Sequence, residues 1–451
     1  MKQLPTPFLT RMEKLLGDNF ADFLNSYNEA AVRSFRVNTK KISIEDFEKI
    51  CDFSCGKIPY CETGFYTDIE KPGNHPFHHA GMIYMQDPAA MAPAECVDIL
   101  PHWHILDMCA APGGKSSRLA EKIPQGVLVS NEIIPSRCKI LTGNIERLGF
   151  ENVVTTCMDT NRLADNFKST FDLVMVDAPC SGEGMFRKDD IAIDQWSEEN
   201  VLNCATRQGE ILDNAALCVK SGGYIVYATC TFSLEENEMV IDSFLSRHDN
   251  FTLVSVTEAV KNCTADGIVF EGAKCENLNL CRRFYPHLCK GEGQFMAVLK
   301  NTDEPLPHLT KKAQNSTAPH KCVFDFLDSV LETYEKEKVI LHGDTPVYFN
   351  PDFSLSGTVF SCGVKIGEVI KNRIVPHHQF FMAMGDKFKI KIDLEKDSLD
   401  LAKYLHGEEI EVDSDKNGWG VITVCGCTVG GVKIVDGRAK NHYPKGLRTN
   451  Y

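Results

Sequence analysis

The chain has 451 residues, a length typical of two to four domains, and its 43% hydrophobic and 24% charged residues are typical of soluble globular proteins. This composition excludes a fibrous or wholly disordered chain. The net charge of −14 argues against a protein that coats nucleic acid with its whole surface, so any RNA contact would need local basic patches.

Residues 1–80 form the first predicted module. Apolar residues between Phe8 and Leu24 recur at intervals of three and four, which predicts an amphipathic helix that begins after Pro7. The segment SFRVNTKK (34–41) alternates apolar residues with polar or basic ones, and this pattern predicts a strand. The first module therefore combines helical and strand patterns.

Residues 81–300 form the predicted core domain. Five short apolar strands alternate there with helical patterns, and their sequences are HILDM, GVLVSNE, NVVTTCMD, FDLVMVDAP and GGYIVYATC. This alternation is the signature of a doubly wound parallel sheet. The segment GQFMAVLK predicts a final strand that closes the core domain.

Two helices of the core domain carry predicted end signals. Ser197 is the predicted N-cap of the helix before the fifth strand, and the pair Gly222-Gly223 is predicted to end that helix. After the strand, Ser233 and Glu236 have the spacing of a capping box, which predicts that the next helix starts at once.

A linker and a C-terminal region complete the chain. Residues 301–320 have linker composition, and residues 321–451 begin with a predicted helix and continue as short strands with glycine turns. Residues 432–451 contain five basic residues and one acidic residue, a net charge of +4. We interpret this segment as a basic RNA-binding tail, with a tail that is basic by chance as the alternative.

The chain start and the 19 cysteines predict the compartment. No apolar stretch fits a secretory signal or a membrane span, so we expect a cytoplasmic protein without membrane contact. The cysteines are odd in number and never spaced as CxxC, which favours reduced and buried thiols.

Cys425 and Cys427 hint at a metal, but alternation on one strand face explains them, and His78-His79 and His377-His378 have equally ordinary explanations. We expect no metal site.

Small and acidic residues follow successive strands, at the edge where open parallel sheets bind ligands. The turn CAAPGGKS (109–116) allows a ligand carboxylate or phosphate to approach a helix N-terminus. Glu132, Asp159 and Asp177 follow the second, third and fourth strands. A solvated carboxylate is an adequate explanation for any one of them, but three in succession favour a nucleoside cofactor.

Two cysteines stand at the ends of neighbouring strands. Cys180 lies in VDAPCSGEGMFRKD and Cys230 in YATCTFSLEENE. Because adjacent parallel strands end at the same edge, we expect the two thiols to lie close together. A random cysteine is usually a small buried hydrophobe, yet the Pro-Cys and Thr-Cys contexts favour a chemical role.

Seven segments together resemble the RNA cytosine-C5 methyltransferases of the Nop/Sun family, in particular their bacterial RsmF/YebU type. The resemblance covers nearly the whole chain, and this combination of motifs is highly specific. The segments are FRVN (35–38), GMIYMQDPAA (81–90), DMCAAPGGK (107–115), VDAPCSGEGMFRK (176–188), YATCTFSLEENE (227–238), RRFYPHLCKGEGQF (282–295) and KNHYPKGLR (440–448).

The resemblance implies an α/β fold with three parts. These are a Rossmann-like S-adenosylmethionine methyltransferase core, an N-terminal α+β RNA-binding module and a C-terminal PUA-like α+β domain. The family pattern also implies which residues bind S-adenosylmethionine. They are Cys109, Ala110, Ala111, Pro112, Gly113, Gly114, Lys115, Glu132, Arg137, Asp159 and Asp177.

The family chemistry implies unequal roles for the two cysteines. Addition of the Cys230 thiolate to C6 of cytosine would make C5 nucleophilic, Asp177 would hydrogen-bond the base edge at N3 or N4, and Cys180 would assist product release. A base inside a duplex is out of reach, so the target must be unpaired or flipped out. Phe186 and Arg187 are candidates to stack on it or clamp it, with simple loop packing as the alternative.

The implied partner is RNA, either small-subunit ribosomal RNA or the assembled small subunit, and the family pattern implies a monomer. Candidate RNA-binding residues are Arg36 and Lys40 near the N-terminus and Tyr443, Lys445 and Arg448 near the C-terminus. These pair basic charge with an aromatic ring. Both are features that proteins use to bind single-stranded RNA.

Three alternatives stay open. The same chemistry could act on transfer RNA. A methyltransferase of this fold that modifies an exocyclic amine would need a polar-Pro-Pro-aromatic motif after the fourth strand, where this chain has DAPC. A noncatalytic ribosome-assembly factor would bind RNA but would have no use for two thiols.

Overall fold

The computed structural model describes residues 3–304, 319–355, 357–413 and 415–449. Most of the predicted linker, residues 305–318, lies outside the described residues. Within the described part of the chain, no helix is both long enough and apolar enough to cross a membrane.

The N-terminal part contains a four-stranded antiparallel sheet in the order β2-β3-β1-β4. The predicted amphipathic segment is helical but forms two helices, and the first begins before Pro7, because proline fits the first turn of a helix. The sheet extends beyond residue 80, the predicted end of the first module. The helices are α1 (Thr6–Leu16), α2 (Phe20–Ser26), α3 (Ile44–Ile50) and α4 (Pro76–His79), and the strands are β1 (Arg33–Val37), β2 (Ser54–Ile58), β3 (Cys61–Thr67) and β4 (Ile83–Met85).

The core domain is a Rossmann-like sheet, as predicted. Its central strands β7-β6-β5-β8-β9 are parallel, and β13 joins antiparallel to β9. The strands are β5 (His104–Asp107), β6 (Val127–Asn131), β7 (Val153–Thr156), β8 (Phe171–Asp177), β9 (Val219–Thr229), β10 (Phe251–Val254), β11 (Ala265–Asp266), β12 (Arg282–Phe284) and β13 (Gln294–Asn301). The helices are α5 (Pro88–Met91), α6 (Gly114–Lys122), α7 (Pro135–Leu148), α8 (Thr160–Asn166), α9 (Asp190–Gln195), α10 (Glu198–Cys218), α11 (Glu238–Leu245) and α12 (Glu258–Lys261).

Two of the predicted helix ends are wrong. Ser197 does cap α10, accepting a hydrogen bond from the backbone N–H of Asn200, but α10 stops at Cys218, and the glycine pair lies inside β9, where the pairing with β8 is irregular. The predicted capping box of Ser233 and Glu236 does not form. Both side chains bond to the loop after β8 instead, and the helix begins later, at Glu238.

The C-terminal region contributes a strand to the core sheet as well as sheets of its own. Strand β16 pairs antiparallel with β7 and so covers one edge of the Rossmann-like sheet. A five-stranded sheet, β20-β22-β23-β24-β21, lies nearest the C-terminus. The helices are α13 (Lys321–Val330), α14 (His378–Met384) and α15 (Leu399–His406). The strands are β14 (Val339–His342), β15 (Thr345–Tyr348), β16 (Val359–Cys362), β17 (Val364–Lys365), β18 (Gly367–Ile370), β19 (Arg373–Pro376), β20 (Lys391–Asp393), β21 (Ile410–Glu411), β22 (Gly418–Val424), β23 (Cys427–Val435) and β24 (Arg438–Asn441).

The first and last parts of the chain share one hydrophobic core. Phe35 and Phe77 of the N-terminal part belong to the same buried cluster as Tyr404 and Ile422 of the C-terminal sheet region. Polar contacts cross the same boundary, including an ion pair between Lys396 and Asp52 at 3.1 Å. The C-terminal sheet region is thus packed against the N-terminal part as well as joined to the core sheet.

Candidate active site

A cavity of about 290 Å³ lies at the carboxyl edge of the parallel strands, where the sequence predicts the site. Its walls are formed by the turn after β5, by residues at or after the ends of β8 and β9, and by two segments, 84–90 and 292–294, that sequence analysis did not assign to the site. The lining residues are Tyr84, Met85, Gln86, Asp87, Ala90, Asp107, Cys109, Ala110, Ala111, Pro112, Gly114, Lys115, Asp177, Met185, Cys230, Glu292, Gly293 and Gln294.

The two predicted thiols lie together. The sulfur atoms of Cys180 and Cys230 are 3.3 Å apart, and Cys230 is part of the cavity lining. The hydrogen bond with Cys230, followed by burial, raises the pKa of Cys180 well above its usual value. Cys180 therefore keeps its proton and can donate it toward the Cys230 sulfur.

Arg36 stabilises the turn at 109–115, which we call the glycine turn. Its guanidinium donates to the carbonyl oxygen of Gly114 at 2.7 Å, to Ser117 Oγ at 2.6 Å and to Gln86 Oε1 at 2.7 Å. A Cβ on Gly114 would lie 3.0 Å from Gln86 Nε2, so this tight packing favours glycine. The expectation that Arg36 faces RNA is wrong, because its side chain is buried in these contacts.

Buried Lys115 and partly exposed Asp177 form an ion pair at the cavity wall. Lys115 Nζ donates to Asp177 Oδ2 at 2.6 Å, and both residues line the cavity. Among the described residues, Asp177 Oδ1 has no such donor, and the Asp177 side chain is about one third exposed. The second carboxylate oxygen is therefore available to a ligand.

Asp107 is a site residue that sequence analysis missed. It is fully buried, and its Oδ2 accepts a hydrogen bond from Ser116 Oγ at 2.6 Å, while its Oδ1 has no partner among the described residues. Burial raises the pKa of Asp107 to about 7. Its position at the end of the first parallel strand is a signal in the sequence, because acids at the carboxyl ends of parallel strands lie at the ligand-binding edge of the sheet.

We expect Asp107→Asn to change how stability depends on pH. Because the pKa of Asp107 is raised in the fold, the folded state binds more protons than the unfolded state between about pH 4 and 7. The free energy of unfolding of the wild type should therefore fall with rising pH across this window, relative to that of the variant. Urea denaturation at several pH values measures the difference.

The matched control for this experiment is Asp165→Asn, since Asp165 is exposed on α8 of the same domain. Its difference from the wild type should stay flat across the window, because an exposed carboxylate is solvated in both states. A flat difference for Asp107→Asn as well would contradict the expectation.

Glu132 and Arg137 lie beside the glycine turn. Glu132 is buried, and its Oε2 lies 3.1 Å from Arg137 Nη1, while Arg137 Nη2 donates to the carbonyl oxygen of Ala111 at 2.9 Å. Asp159 has a structural role, since it is the N-cap of α8 and accepts from the backbone N–H of Arg162 at 2.9 Å. Glu132 therefore lies beside the turn, whereas Asp159 caps α8.

Two buried glutamates join the two cysteine-bearing loops in a reciprocal way. Glu236, on the Cys230 segment, accepts hydrogen bonds from the backbone N–H (2.9 Å) and the hydroxyl of Ser181, next to Cys180. Glu183, on the Cys180 segment, accepts from residues just after Cys230. The donors to Glu183 are Thr231 Oγ1, the backbone N–H of Phe232, Ser233 Oγ and Trp196 Nε1. These carboxylates hold the two loops, and hence the two thiols, in fixed relation.

The residues predicted to stack on or clamp the target base are buried. Phe186 packs against Phe8 with ring centroids 5.0 Å apart, and Arg187 forms an ion pair with Glu292 at 2.8 Å. Arg187 also donates to the carbonyl oxygen of Ser26 at 2.9 Å. The alternative of loop packing therefore accounts for both residues, and the predicted base contacts are wrong.

The remaining RNA-binding candidates include both buried and exposed residues. Tyr443 is buried and its hydroxyl lies 2.9 Å from His79 Nδ1, so the expectation of an exposed stacking ring is wrong. Arg448 is partly buried and packs against Gly407. Lys445 is exposed, and Lys40 is exposed apart from an ion pair with Glu151 at 3.3 Å.

Cys425 and Cys427, near the C-terminus, do not lie on one face of a strand. Cys425 lies in the turn between β22 and β23 with a φ of 50°, and Cys427 begins β23, so the predicted alternation is wrong. Within the described ranges, no group of three or more His, Cys, Asp or Glu side chains is arranged to hold a metal ion.

Three family models match the chain, and together they cover both ends and the core. Residues 4–88 match the N-terminal domain of 16S rRNA methyltransferase RsmF, and residues 95–300 match 16S rRNA methyltransferase RsmB/F. Residues 391–449 match the methyltransferase RsmF PUA domain. The matches agree with the fold classes predicted for the three parts.

Relatives of similar length exist in Vibrio. The ribosomal RNA small subunit methyltransferase F of Vibrio vulnificus (strain YJ016) is 30% identical over 478 residues, which covers 98% of this chain and 97% of the relative. The enzyme of the same name from Vibrio cholerae (strain M66-2) is 31% identical over 481 residues, with 98% and 97% covered.

Solved structures share the fold. A methyltransferase homologue from Pyrococcus horikoshii is 27% identical with a TM-score of 0.58, and the match covers 66% of this chain and 95% of that chain. The structure of NSun6 from the same organism is 21% identical with a TM-score of 0.56 and coverages of 66% and 99%. At this identity the second likeness speaks only for the fold.

Proposed function

The chain belongs to the family of ribosomal RNA small subunit methyltransferases F, and on that basis we propose that it transfers a methyl group from S-adenosylmethionine to C5 of a cytosine in 16S ribosomal RNA. One observation carries the cytosine-C5 assignment. Cys230 lines the same cavity as the turn at 109–115 and Asp177, with a second thiol 3.3 Å away. Exocyclic amines need no thiol nucleophile, whereas C5 of cytosine does.

Cys230 is the proposed nucleophile. Its thiolate forms a bond to C6, and the electron pair of the C5–C6 double bond makes C5 able to attack a methyl group. As C5 bonds to the methyl carbon, the methyl–sulfur bond of the donor would break and its electron pair would stay on the departing sulfur. After methylation the C5 proton leaves, its electron pair restores the double bond, and the sulfur–C6 bond breaks. The thiolate is thereby returned for the next cycle.

Asp177 supports the addition step. Lys115 holds Oδ2 of this carboxylate, which leaves Oδ1 free to hydrogen-bond the base at N3 or N4. Negative charge develops on the ring as the thiolate adds, and uptake of a proton at N3 neutralises it. The carboxylate accepts a hydrogen bond from that N3–H or from the N4 amine and so favours the protonated base. Lys115 thus acts as a positioning residue for Asp177.

Cys180 is the proposed partner in product release. While Cys230 is free, its hydrogen bond raises the pKa of Cys180 and keeps it protonated. Once Cys230 is bonded to C6, this hydrogen bond and the neighbouring charge are lost. Cys180 can then release its proton to solvent, and the resulting thiolate accepts the C5 proton.

The residues around the glycine turn fit S-adenosylmethionine. The unpartnered Oδ1 of Asp107 suits a polar ligand seated against this turn, while Glu132, beside the same turn, supplies a carboxylate for ribose hydroxyls. The proposed cofactor set further includes Arg137 and, less directly, Asp159. When bound, S-adenosylmethionine supplies an electrophilic methyl group.

The proposed division of labour keeps three parts, with RNA recognition at both ends of the chain and methyl transfer in the core. The first boundary falls after β4 rather than at residue 80, since β4 pairs with β1. We place the activity in the cytoplasm, on small-subunit RNA or the assembled small subunit, with the protein acting as a monomer.

The direct test uses purified protein, isotope-labelled S-adenosylmethionine and small-subunit RNA from cells that lack this gene. We expect label in 5-methylcytosine after nuclease digestion and a site visible by bisulfite sequencing. Transfer RNA serves as the comparison substrate. Label in a base methylated on an exocyclic amine, or in transfer RNA alone, would overturn the proposal.

A further inference from the structure

One face of the C-terminal sheet carries exposed cations beside aromatic rings. Trp419 on β22 pairs with Lys433 on β23, which pairs with Lys440 on β24. Directly paired residues of antiparallel strands point to the same side, and so does Arg438, two residues before Lys440. We call Trp419, Lys433, Arg438, Lys440 and His442 the basic sheet face.

The charges of this face are not balanced within the protein. Lys433 and Lys440 are direct register partners, and like charges in that position repel. Neither forms an ion pair with any residue in the part of the chain that the structure describes. Arg438 lies opposite Glu411, so the two lysines carry the argument. A bound polyanion would remove the repulsion between them.

Aromatic rings border the two lysines. The Trp419 ring packs on Phe381 beneath it, with centroids 6.0 Å apart, and Lys433 Nζ lies 5.5 Å from the Trp419 centroid. The exposed His442 ring lies 4.5 Å from Trp419. Partial burial of the ring on its Trp419 side, followed by the charge of Lys433, lowers the pKa of His442, so the ring is uncharged at neutral pH.

We propose that the basic sheet face binds a single-stranded segment of RNA. Phosphates would lie against Lys433 and Lys440, and one base would stack on the exposed ring of His442, which the Trp419 ring supports edge-on. Proteins combine cations that contact phosphates with aromatic rings that stack bases when they bind single strands, and sheet faces do this in other RNA-binding folds. An acidic protein partner would pair with the lysines but would not explain why aromatic rings border them.

This inference rests on the proposed function only in taking RNA as the ligand. Its test needs no methyl donor, so loss of methylation and loss of RNA binding can be told apart. Deletion of the tail is unsuitable, because Val432, Ile434 and Ala439 are buried in the shared core. Substitutions on the surface leave that core intact.

The experiment measures binding of full-length protein to a labelled single-stranded RNA oligonucleotide at several salt concentrations. The variant is Lys433→Gln/Lys440→Gln, and the matched control is Lys371→Gln/Arg373→Gln, which removes two exposed cations from the β18–β19 hairpin. For the first variant we expect weaker binding and a log–log salt slope smaller by about 1.4, since each phosphate contact contributes about 0.7. The control should keep the wild-type slope.

A second variant, His442→Ala, tests the stacking step. We expect about tenfold weaker binding with an unchanged salt slope, because stacking releases no counterions. Thermal unfolding of each variant checks that the fold is kept. Wild-type affinity and slope in the lysine variant would overturn the proposal and point to a protein partner, and an equal loss in the control would show a general charge effect and overturn it as well.

Discussion

Replacement of Cys230 by alanine is expected to lower methyl transfer by at least about a thousandfold, as loss of a catalytic nucleophile does in other enzymes. The reason is geometric as well as chemical. Cys230 lines the cavity, whereas Cys180 is not among the lining residues, and burial still raises the pKa of Cys180 after the Cys230 thiol is removed. Cys180 therefore cannot take over the attack on C6. Transfer of labelled methyl to RNA under single-turnover conditions measures the effect.

The matched control is Cys157→Ala, which removes a partly exposed thiol of the same domain that lies outside the cavity lining. It should keep wild-type activity. RNA affinity of Cys230→Ala should also stay near the wild-type value, because one small side chain contributes little to binding. Substantial methylation by Cys230→Ala would rule out the covalent mechanism.

The second large effect is expected for Cys180→Ala. This variant can still form the bond between Cys230 and C6 but lacks the proposed base for the C5 proton, so turnover should fall by about 10²- to 10⁴-fold, the usual contribution of general acid–base catalysis. A methylated protein–RNA adduct should therefore accumulate. The adduct is measured as a slower band on a denaturing gel after incubation with RNA and S-adenosylmethionine.

The double variant Cys180→Ala/Cys230→Ala is the control for this adduct. It should give no slower band, because the sulfur that bonds to C6 is absent. Normal turnover by Cys180→Ala without any adduct would show that another group accepts the C5 proton. The ordered contact between the sulfur atoms would then serve only to keep Cys180 protonated.

The position of the two thiols was predictable because it follows from topology alone. Parallel neighbouring strands end at one edge, and both cysteines follow such strands directly. The same reasoning predicted the turn at 109–115 and the carboxylate of Asp177. It also points to Asp107, which ends the first strand. Sequence analysis included this acid in the family motif at 107–115 and assigned it no role of its own.

Three of the RNA-binding candidates, Arg36, Arg187 and Tyr443, have buried side chains, and the reason is physical. An arginine in a strand or loop looks like surface when its partners are distant in sequence, yet Arg36 bonds to Gly114 and Arg187 to Glu292. Tyr443 likewise bonds to His79 at the other end of the chain. No local pattern reveals such partners. A charge count along residues 432–451 identifies a basic segment, but only strand register shows which of its cations share a face.

The core shared by the two ends of the chain also bears on how the protein is made. Phe77 and Met82 leave the ribosome early, but the residues that bury them, such as Tyr404 and Ile434, follow more than 300 positions later. At translation rates of about 5–20 residues per second, the first module waits on the order of 20–60 s with an apolar surface uncovered. Nascent chains of this protein should therefore depend on chaperones until the last sheet emerges.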